Sequence, residues 1–290
     1  KDGNRMNINS TPSINRQSRH QMQPWVLPTN INSTTSISKR LRDLVEKYAP
    51  IGLEEMDSVT LLNRTDTKYV IPVCKLATTL SNLTGDYSIL EVNQQRFNHY
   101  RTLYFDTPEF DLFNMHVNGR VDRYKVRSRE YMDTHLSFLE VKHKLHNDRT
   151  VKSRLQTERP VVNVSDDTKE WLGVVYPFET CNLEPKIWNT FSRITLVNKE
   201  RCERVTIDVD ISFFTANRVA RLEGIAIAEV KMDAQVRKSP FMVQMHQQHI
   251  LTNSFSKYCL GASMIYEDIK KNSLKAKMLW IEKISKGETK

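Results

Sequence analysis

Charge in this chain alternates with a period of two. In Val121-Asp122-Arg123-Tyr124-Lys125-Val126-Arg127-Ser128-Arg129 the bases Arg123, Lys125, Arg127 and Arg129 fall on every second residue, and in Phe138-Leu139-Glu140-Val141-Lys142-His143-Lys144 so do Glu140, Lys142 and Lys144. A β-strand sends alternate side chains to one face, so each segment predicts a strand with one charged face. The parity recurs at Arg64–Ile71, Arg204–Asp210 and Ala228–Asp233. One such strand is explained by a wet sheet face. Repetition over several strands is better explained by a closed or nearly closed antiparallel barrel with a sheltered, basic interior.

An interior of that kind calls for an anionic ligand. The whole chain carries a formal net charge of +9 over 290 residues, with 27% charged and 39% hydrophobic residues, enough apolar material for a sizeable core. Nucleic acid, an acidic membrane surface and phosphate-rich small molecules all suit that charge. Nucleic acid is not expected, because the bases alternate along strands instead of clustering on a helix. With eight Gly in all, neither GxGxxG nor GxxxxGK[ST] occurs, so phosphates are expected to be held by side chains rather than by a glycine-rich loop. Cys74, Cys181, Cys202 and Cys259 form no CxxC or Cys/His cluster, which points to neither a zinc site nor a disulfide framework and makes a reducing cytoplasm the expected setting. No window approaches the roughly 20 apolar residues that span a bilayer.

Residues 1–37, rich in Asn, Ser, Thr, Gln and Pro, read as a flexible tail. The remainder, 38–290, reads as one tunnel domain ending in a C-terminal helix. Ser38–Tyr48 has helical spacing behind a Ser cap and stops before Pro50. Strands are expected at Thr67–Pro72, Gln95–Phe105, Val121–Arg129, Leu136–His143, Ile187–Val197, Arg204–Ile211 and Ile225–Met232. Helices are expected at Leu76–Leu83, Asp167–Leu172, Phe241–His246 and Ala262–Ile284.

The motifs Asp66-Thr67-Lys68-Tyr69, Tyr104-Phe105-Asp106-Thr107, Lys125-Val126-Arg127-Ser128-Arg129, Glu140-Val141-Lys142, Glu229-Val230-Lys231 and Phe255-Ser256-Lys257-Tyr258 occur in an order and spacing that resembles a known family. From about Leu53 to Met264 the chain resembles the polyphosphate polymerase domain of the vacuolar transporter chaperone complex, in its stand-alone bacterial form, within the CYTH or triphosphate tunnel metalloenzyme superfamily. The resemblance implies an α+β fold: an eight-stranded antiparallel β-barrel tunnel with peripheral helices. It implies ATP and inorganic polyphosphate as substrates and Mn²⁺ or Mg²⁺ as cofactor. Catalytic positions by resemblance are Lys68, Arg127, Arg129, Lys142, Arg193 and Lys257, with Glu229 as metal ligand. Lys125, Lys144, Lys152, Lys231 and Arg64 are expected to bind substrate, Lys231 also being placed to pair with Glu229. The resemblance alone, and no feature of this chain, implies a membrane-protein partner for product export, at the inner face of a membrane.

The chemistry suits these residue types. Phosphoryl transfer leaves the protein mostly positioning and charge stabilisation; Arg grips phosphate bidentately while Lys acts as a mobile point charge, and a carboxylate plus phosphate oxygens suits a hard divalent cation. The chain departs from the family in two places. Many hydrolytic tunnel enzymes carry a first-strand ExExK, whereas that register here reads Arg64, Asp66, Lys68, which weakens the case for a metal-activated water and favours transfer to a phosphate acceptor. Ser254 stands where a further base is expected near Lys257. A triphosphate hydrolase and a non-catalytic polyphosphate binder remain as alternatives. Asp208 and Asp210 read either as metal ligands or as partners of strand bases such as Arg204. His99, His143 and His146 show no ligand spacing, and Tyr104, Phe105, Tyr124 and Phe138 read as core aromatics.

Overall fold

Alternation becomes strand wherever it was expected, and the strand ends fall within a few residues of the expected bounds. The computed structural model describes residues 39–57, 64–146, 149–233 and 239–288; the expected tail and the Ser38 cap lie outside them. The first half contains α1 (Lys39–Val45), β1 (Ala49–Ile51), α2 (Leu53–Asp57), β2 (Arg64–Pro72), α3 (Val73–Ser81), β3 (Tyr87–Leu90), β4 (Asn98–Asp106), α4 (Asp111–Val117), β5 (Arg123–Tyr131) and β6 (Leu136–Lys144). Then follow β7 (Thr150–Thr157), α5 (Asp166–Val175), β8 (Glu184–Asn198), β9 (Glu203–Phe214), β10 (Val219–Arg221), β11 (Ile225–Asp233), α6 (Pro240–Gln247), α7 (Lys257–Ile265) and α8 (Asn272–Ser285). The structure differs from the sequence reading in several elements. The strand β7, the short strands β1, β3 and β10 and the helices α2 and α4 were not expected, and the expected helix Ala262–Ile284 is broken between α7 and α8.

The main sheet runs β2-β11-β9-β8-β4-β5-β6-β7, antiparallel at every step. Among the described residues no pairing joins β2 to β7, so the eight strands curl without closing by hydrogen bonds. The free edge of β2 is instead met by the chain before α7: Thr252 bridges Tyr69, and the Asn253 N–H donates to the Lys68 carbonyl at 2.8 Å. On β5, the Lys125 ammonium donates to Ser256 Oγ at 3.1 Å. Since Asn253 and Ser256 are separated by a chain length of at most about 11 Å, β2 and β5 must face each other across a narrow space.

The two sheet faces do different work. On the convex face, Tyr69, Ile71, Ile207, Ala228 and Val230 pack under α1, α3 and α6, while Phe105, Val126, Leu139 and Val141 pack with Leu172 and Tyr176 at α5. On the concave face, one end is apolar: Tyr104, Ile187, Phe191 and Phe213 surround Tyr258, Leu260 and Ala262 of α7, with Ile281 and Ile284 of α8 behind them. The rest of that face is charged.

Two features fix α7. The buried Asp106 carboxylate accepts the backbone N–H groups of Thr107, Leu112 and Phe113, each at 2.8 Å, and also the Tyr258 hydroxyl, so the end of β4, the start of α4 and the side of α7 share one anchor. Gly261 allows close approach to β9: a Cβ there would lie 2.3 Å from the Phe213 ring. Gly261→Ala is expected to lose about 1–3 kcal/mol of stability through overpacking, read as a lowered urea midpoint with an unchanged slope.

Candidate active site

The strand registers place like charges side by side. Lys125 on β5 lies directly opposite Lys142 on β6, which lies directly opposite Lys152 on β7. One row along, Arg127, Glu140 and Arg154 align in the same way. Directly opposed side chains share a face about 5 Å apart, where like charges repel. Glu140, fully buried, is the local answer: Arg127 reaches one carboxylate oxygen through Nε at 2.7 Å and Nη2 at 2.6 Å, and Lys152 pairs with the other oxygen. Burial alone would raise this carboxyl, yet Arg127, Arg129 and Lys152 hold it well below the usual carboxylate range.

Across the lumen, Lys68 on β2 lies opposite Glu229 on β11, and Glu229 opposite Thr206 on β9. The Glu229 Oε1 atom takes Lys68 Nζ at 3.1 Å and Lys231 Nζ at 3.0 Å, and Lys231 also reaches Asp66 at 2.9 Å. Against the effect of burial, Lys231, Lys68 and Lys142 hold Glu229 in its charged form.

A third cluster joins them. Asp208 on β9 accepts Arg193 Nε at 2.6 Å and Arg193 Nη2 at 2.9 Å, and pairs with Lys257 from α7. Of the two roles left open for Asp208, the structure shows the ion pair, with Arg193 and Lys257 rather than with Arg204. The Tyr100 and Phe191 rings stack at 5.0 Å and 5°. Arg193 lies 4.9 Å from the Tyr100 centroid and Lys257 4.7 Å from that of Phe191, with Arg129 5.5 Å from Tyr100. Aromatic faces attract cations, so this pair orders bases without neutralising them.

The bases outnumber the carboxylates that face them, and their proton affinities record it. Lys142 is held well below the ordinary lysine value, first by Arg127 and then by burial and Arg129. Burial, with Lys68 and Arg127 adding repulsion, pushes Lys125 down to about 8. Burial and the Arg127 charge also lower Arg129, whose Nε donates to Thr102 Oγ1 at 3.3 Å. Such a lumen favours any ligand that brings negative charge.

The structure thus brings together Lys68, Lys125, Arg127, Arg129, Lys142, Lys152, Arg193, Glu229, Lys231 and Lys257. Two expected binding residues lie toward strand ends: Lys144 opposite Arg123, and Arg64 at the start of β2 opposite Asp233. Sequence reading did not single out Tyr100, Thr102, Phe191, Arg154 or Ser256. Tyr100, Thr102 and Tyr104 share one parity in β4, a signal available in the sequence; Phe191 sits beside a register shift in β8, where parity gives no guide. His99 pairs with Asp133 at 2.9 Å and His143 with Asp122, both away from this cluster.

A family model described as the VTC domain matches residues 63–266. The chain belongs to the VTC domain family. The match includes every strand of the main sheet and α7; α8 follows it. No curated protein matches this VTC domain in sequence. Among solved structures, a candidate adenylate cyclase from Vibrio parahaemolyticus is similar with a TM-score of 0.42 and 14% identity over 69% of this chain and 98% of its own. A Hippeastrum protein described as having a dominant triphosphatase activity has a TM-score of 0.40 and 13% identity over 70% of this chain and 97% of its own. For a candidate adenylate cyclase from Bacillus halodurans the values are 0.37 and 11%, over 74% and 96%.

Glu140 gives the VTC domain a defined acid sensitivity. Its folded carboxyl lies below the ordinary value of about 4.3, so its ion pairs contribute fully above about pH 5 and are lost as pH falls toward the lower folded value. Glu140→Gln is expected to lose roughly 3–5 kcal/mol at pH 7. In denaturant titrations that difference from wild type should shrink steadily below pH 5.

Proposed function

We propose that this VTC domain is a polyphosphate polymerase that transfers the γ-phosphoryl group of ATP to the end of an inorganic polyphosphate chain. The observation that carries the reading is the cross-strand row Lys125, Lys142 and Lys152 beside Arg127 and Arg129, cations aligned along a lumen in excess of their acids. Arg127 and Arg129 hold the triphosphate of ATP, with Lys68, Lys142, Arg193 and Lys257 around the transferring group. Lys125, Lys144, Lys152, Lys231 and Arg64 hold the polymer. An oxygen of the terminal phosphate forms a bond to the γ-phosphorus while the bond from that phosphorus to the β,γ-bridging oxygen breaks, the electron pair leaving with ADP. The surrounding cations favour the charge spread over the transferring oxygens.

Among the described residues no group of three or more His, Cys, Asp or Glu side chains is placed to hold a metal. Glu229 supplies one carboxylate, and Mg²⁺ or Mn²⁺ is commonly bound by one or two carboxylates together with substrate phosphates, so the donor set fits an ion completed by substrate. Such an ion would neutralise phosphate oxygens. No helix among the described residues is long and apolar enough to cross a membrane; a cytoplasmic setting with transfer of product to a membrane-protein partner is part of the proposal and rests on the family.

Incubation with ATP and Mn²⁺ should yield ADP matched by polyphosphate. ADP matched by free phosphate would replace the reading by a hydrolase that uses the same grip, and no turnover with tight polyphosphate binding would replace it by a binder. Arg127→Ala and Lys142→Ala are each expected to reduce turnover by about 10²-fold or more, as loss of one preorganised charge donor does; full activity of Glu229→Gln would remove the metal role. Tripolyphosphate affinity should also decline as pH rises through about 8, where the free protein begins to lose the Lys125 proton that a bound anion retains. In Lys125→Arg, calorimetric titration should show that decline flattened.

A further inference from the structure

We propose that Lys277 of α8, together with Lys125, Arg123 and Lys144, forms a second polyanion subsite at the Ser254–Ser256 end of the lumen, where the polymer continues beyond the transferring phosphate. The proposal rests on the polyphosphate reading above and adds one residue, Lys277, outside the stretch that the family model matches.

The geometry begins at Ser254, where the family resemblance leads one to expect a base. The Lys277 ammonium donates to both the carbonyl oxygen and Oγ of Ser254, the latter at 2.8 Å, so a cation from another element stands at that position. Two residues on, Ser256 Oγ accepts from Lys125. The serines that lead into α7 therefore tether one ammonium from β5 and one from α8. Arg123 and Lys144 are directly opposed on β5 and β6, one step outward from Lys125 and Lys142.

The imidazole of His116 on α4 feels the charge of all four bases. Burial first, and then Lys125, Arg123, Lys277 and Lys144, push its imidazole down to about 3. The ring is neutral at physiological pH and adds no repulsion. Its Nδ1 is buried without a hydrogen-bond partner among the described residues. The nearby Asp122 is engaged by His143. Cations of β5, β6 and α8 thus gather around the serines that lead into α7, an arrangement that an anion stabilises, and through Lys125 the cluster is continuous with the Arg127 and Lys142 rows. Tripolyphosphate is spanned by the central cluster as far as Lys125; a long polymer also reaches Arg123, Lys144 and Lys277.

The test compares tripolyphosphate with long-chain polyphosphate as calorimetric probes on the full chain. Lys277→Ala is expected to weaken the long chain about five- to ten-fold at low salt, in the range of one lost charge contact, and to lower the slope of log affinity against log salt by about 0.7. Tripolyphosphate should bind as to wild type, which also verifies the fold, and Lys277→Arg should restore the long-chain affinity. Unchanged affinity for both probes would overturn the subsite, as would an equal loss for both, in Lys277→Ala and in the milder Lys277→Gln alike. If wild type makes no polyphosphate from ATP while the long-chain loss persists, the polymerase reading fails and the subsite stands.

Discussion

The row Lys125, Lys142 and Lys152 is the constraint around which the molecule is arranged. Antiparallel pairing forces directly opposed side chains to about 5 Å, and here that pairing sets ammonium against ammonium on three adjoining strands. The chain neutralises this only partly. Glu140 holds Arg127 and Lys152, and Glu229 holds Lys68 and Lys231, but both are committed to those partners. Burial first for Lys125 and Arg129, and the Arg127 charge first for Lys142, lower the proton affinities of these bases, with neighbouring cations adding to the effect of burial. On the proposed reading stability is forgone where the phosphates are held, a trade familiar from sites that tune their titrating groups by burial and neighbouring charge.

The rest of the architecture offsets that repulsion elsewhere. Helices α1, α3, α5 and α6 bury the convex face, where the alternate residues of the same strands are Ile, Val, Leu and Tyr. Inside the curve, α7 fills one end with apolar contacts and brings Lys257 to Asp208. Asp106 anchors that helix through Tyr258, so the Tyr104-Phe105-Asp106-Thr107 and Phe255-Ser256-Lys257-Tyr258 segments meet in space. One of those motifs supplies a base to the lumen; the other fixes the helix that carries it.

Much of this was legible in the sequence because strand parity is a strong signal. The strands carrying Lys68, Arg127, Lys142 and Glu229 were readable from alternation, and so was the separation of charged and apolar faces on them. What escaped has physical reasons. β7 is mostly exposed, and its apolar face holds only Val151 and Leu155, interrupted by Ser153, so its alternation is weak. α4 is short, and its first turn is held by Asp106 from outside the helix, a tertiary cap with no local signature. Helical spacing continues across Tyr266–Lys271, which conceals the break between α7 and α8. Contacts between walls, such as Lys125 of β5 with Ser256 before α7, depend on curvature, which parity does not encode.

Chain order adds a consequence for assembly. β4 to β7 include neighbouring hairpins that form locally, and they contain Arg127, Lys142 and the nearby acid Glu140. The opposite wall closes much later: Lys231 and Asp66, paired between β11 and β2, are 165 residues apart in sequence, and the segment that covers the β2 edge comes after both. Contacts so distant are slow to form because loop closure must precede their reward. A nascent chain therefore keeps the two basic walls apart in water, where high dielectric and salt weaken their repulsion, and confronts them only when nearly all of its apolar surface is available to hold them together.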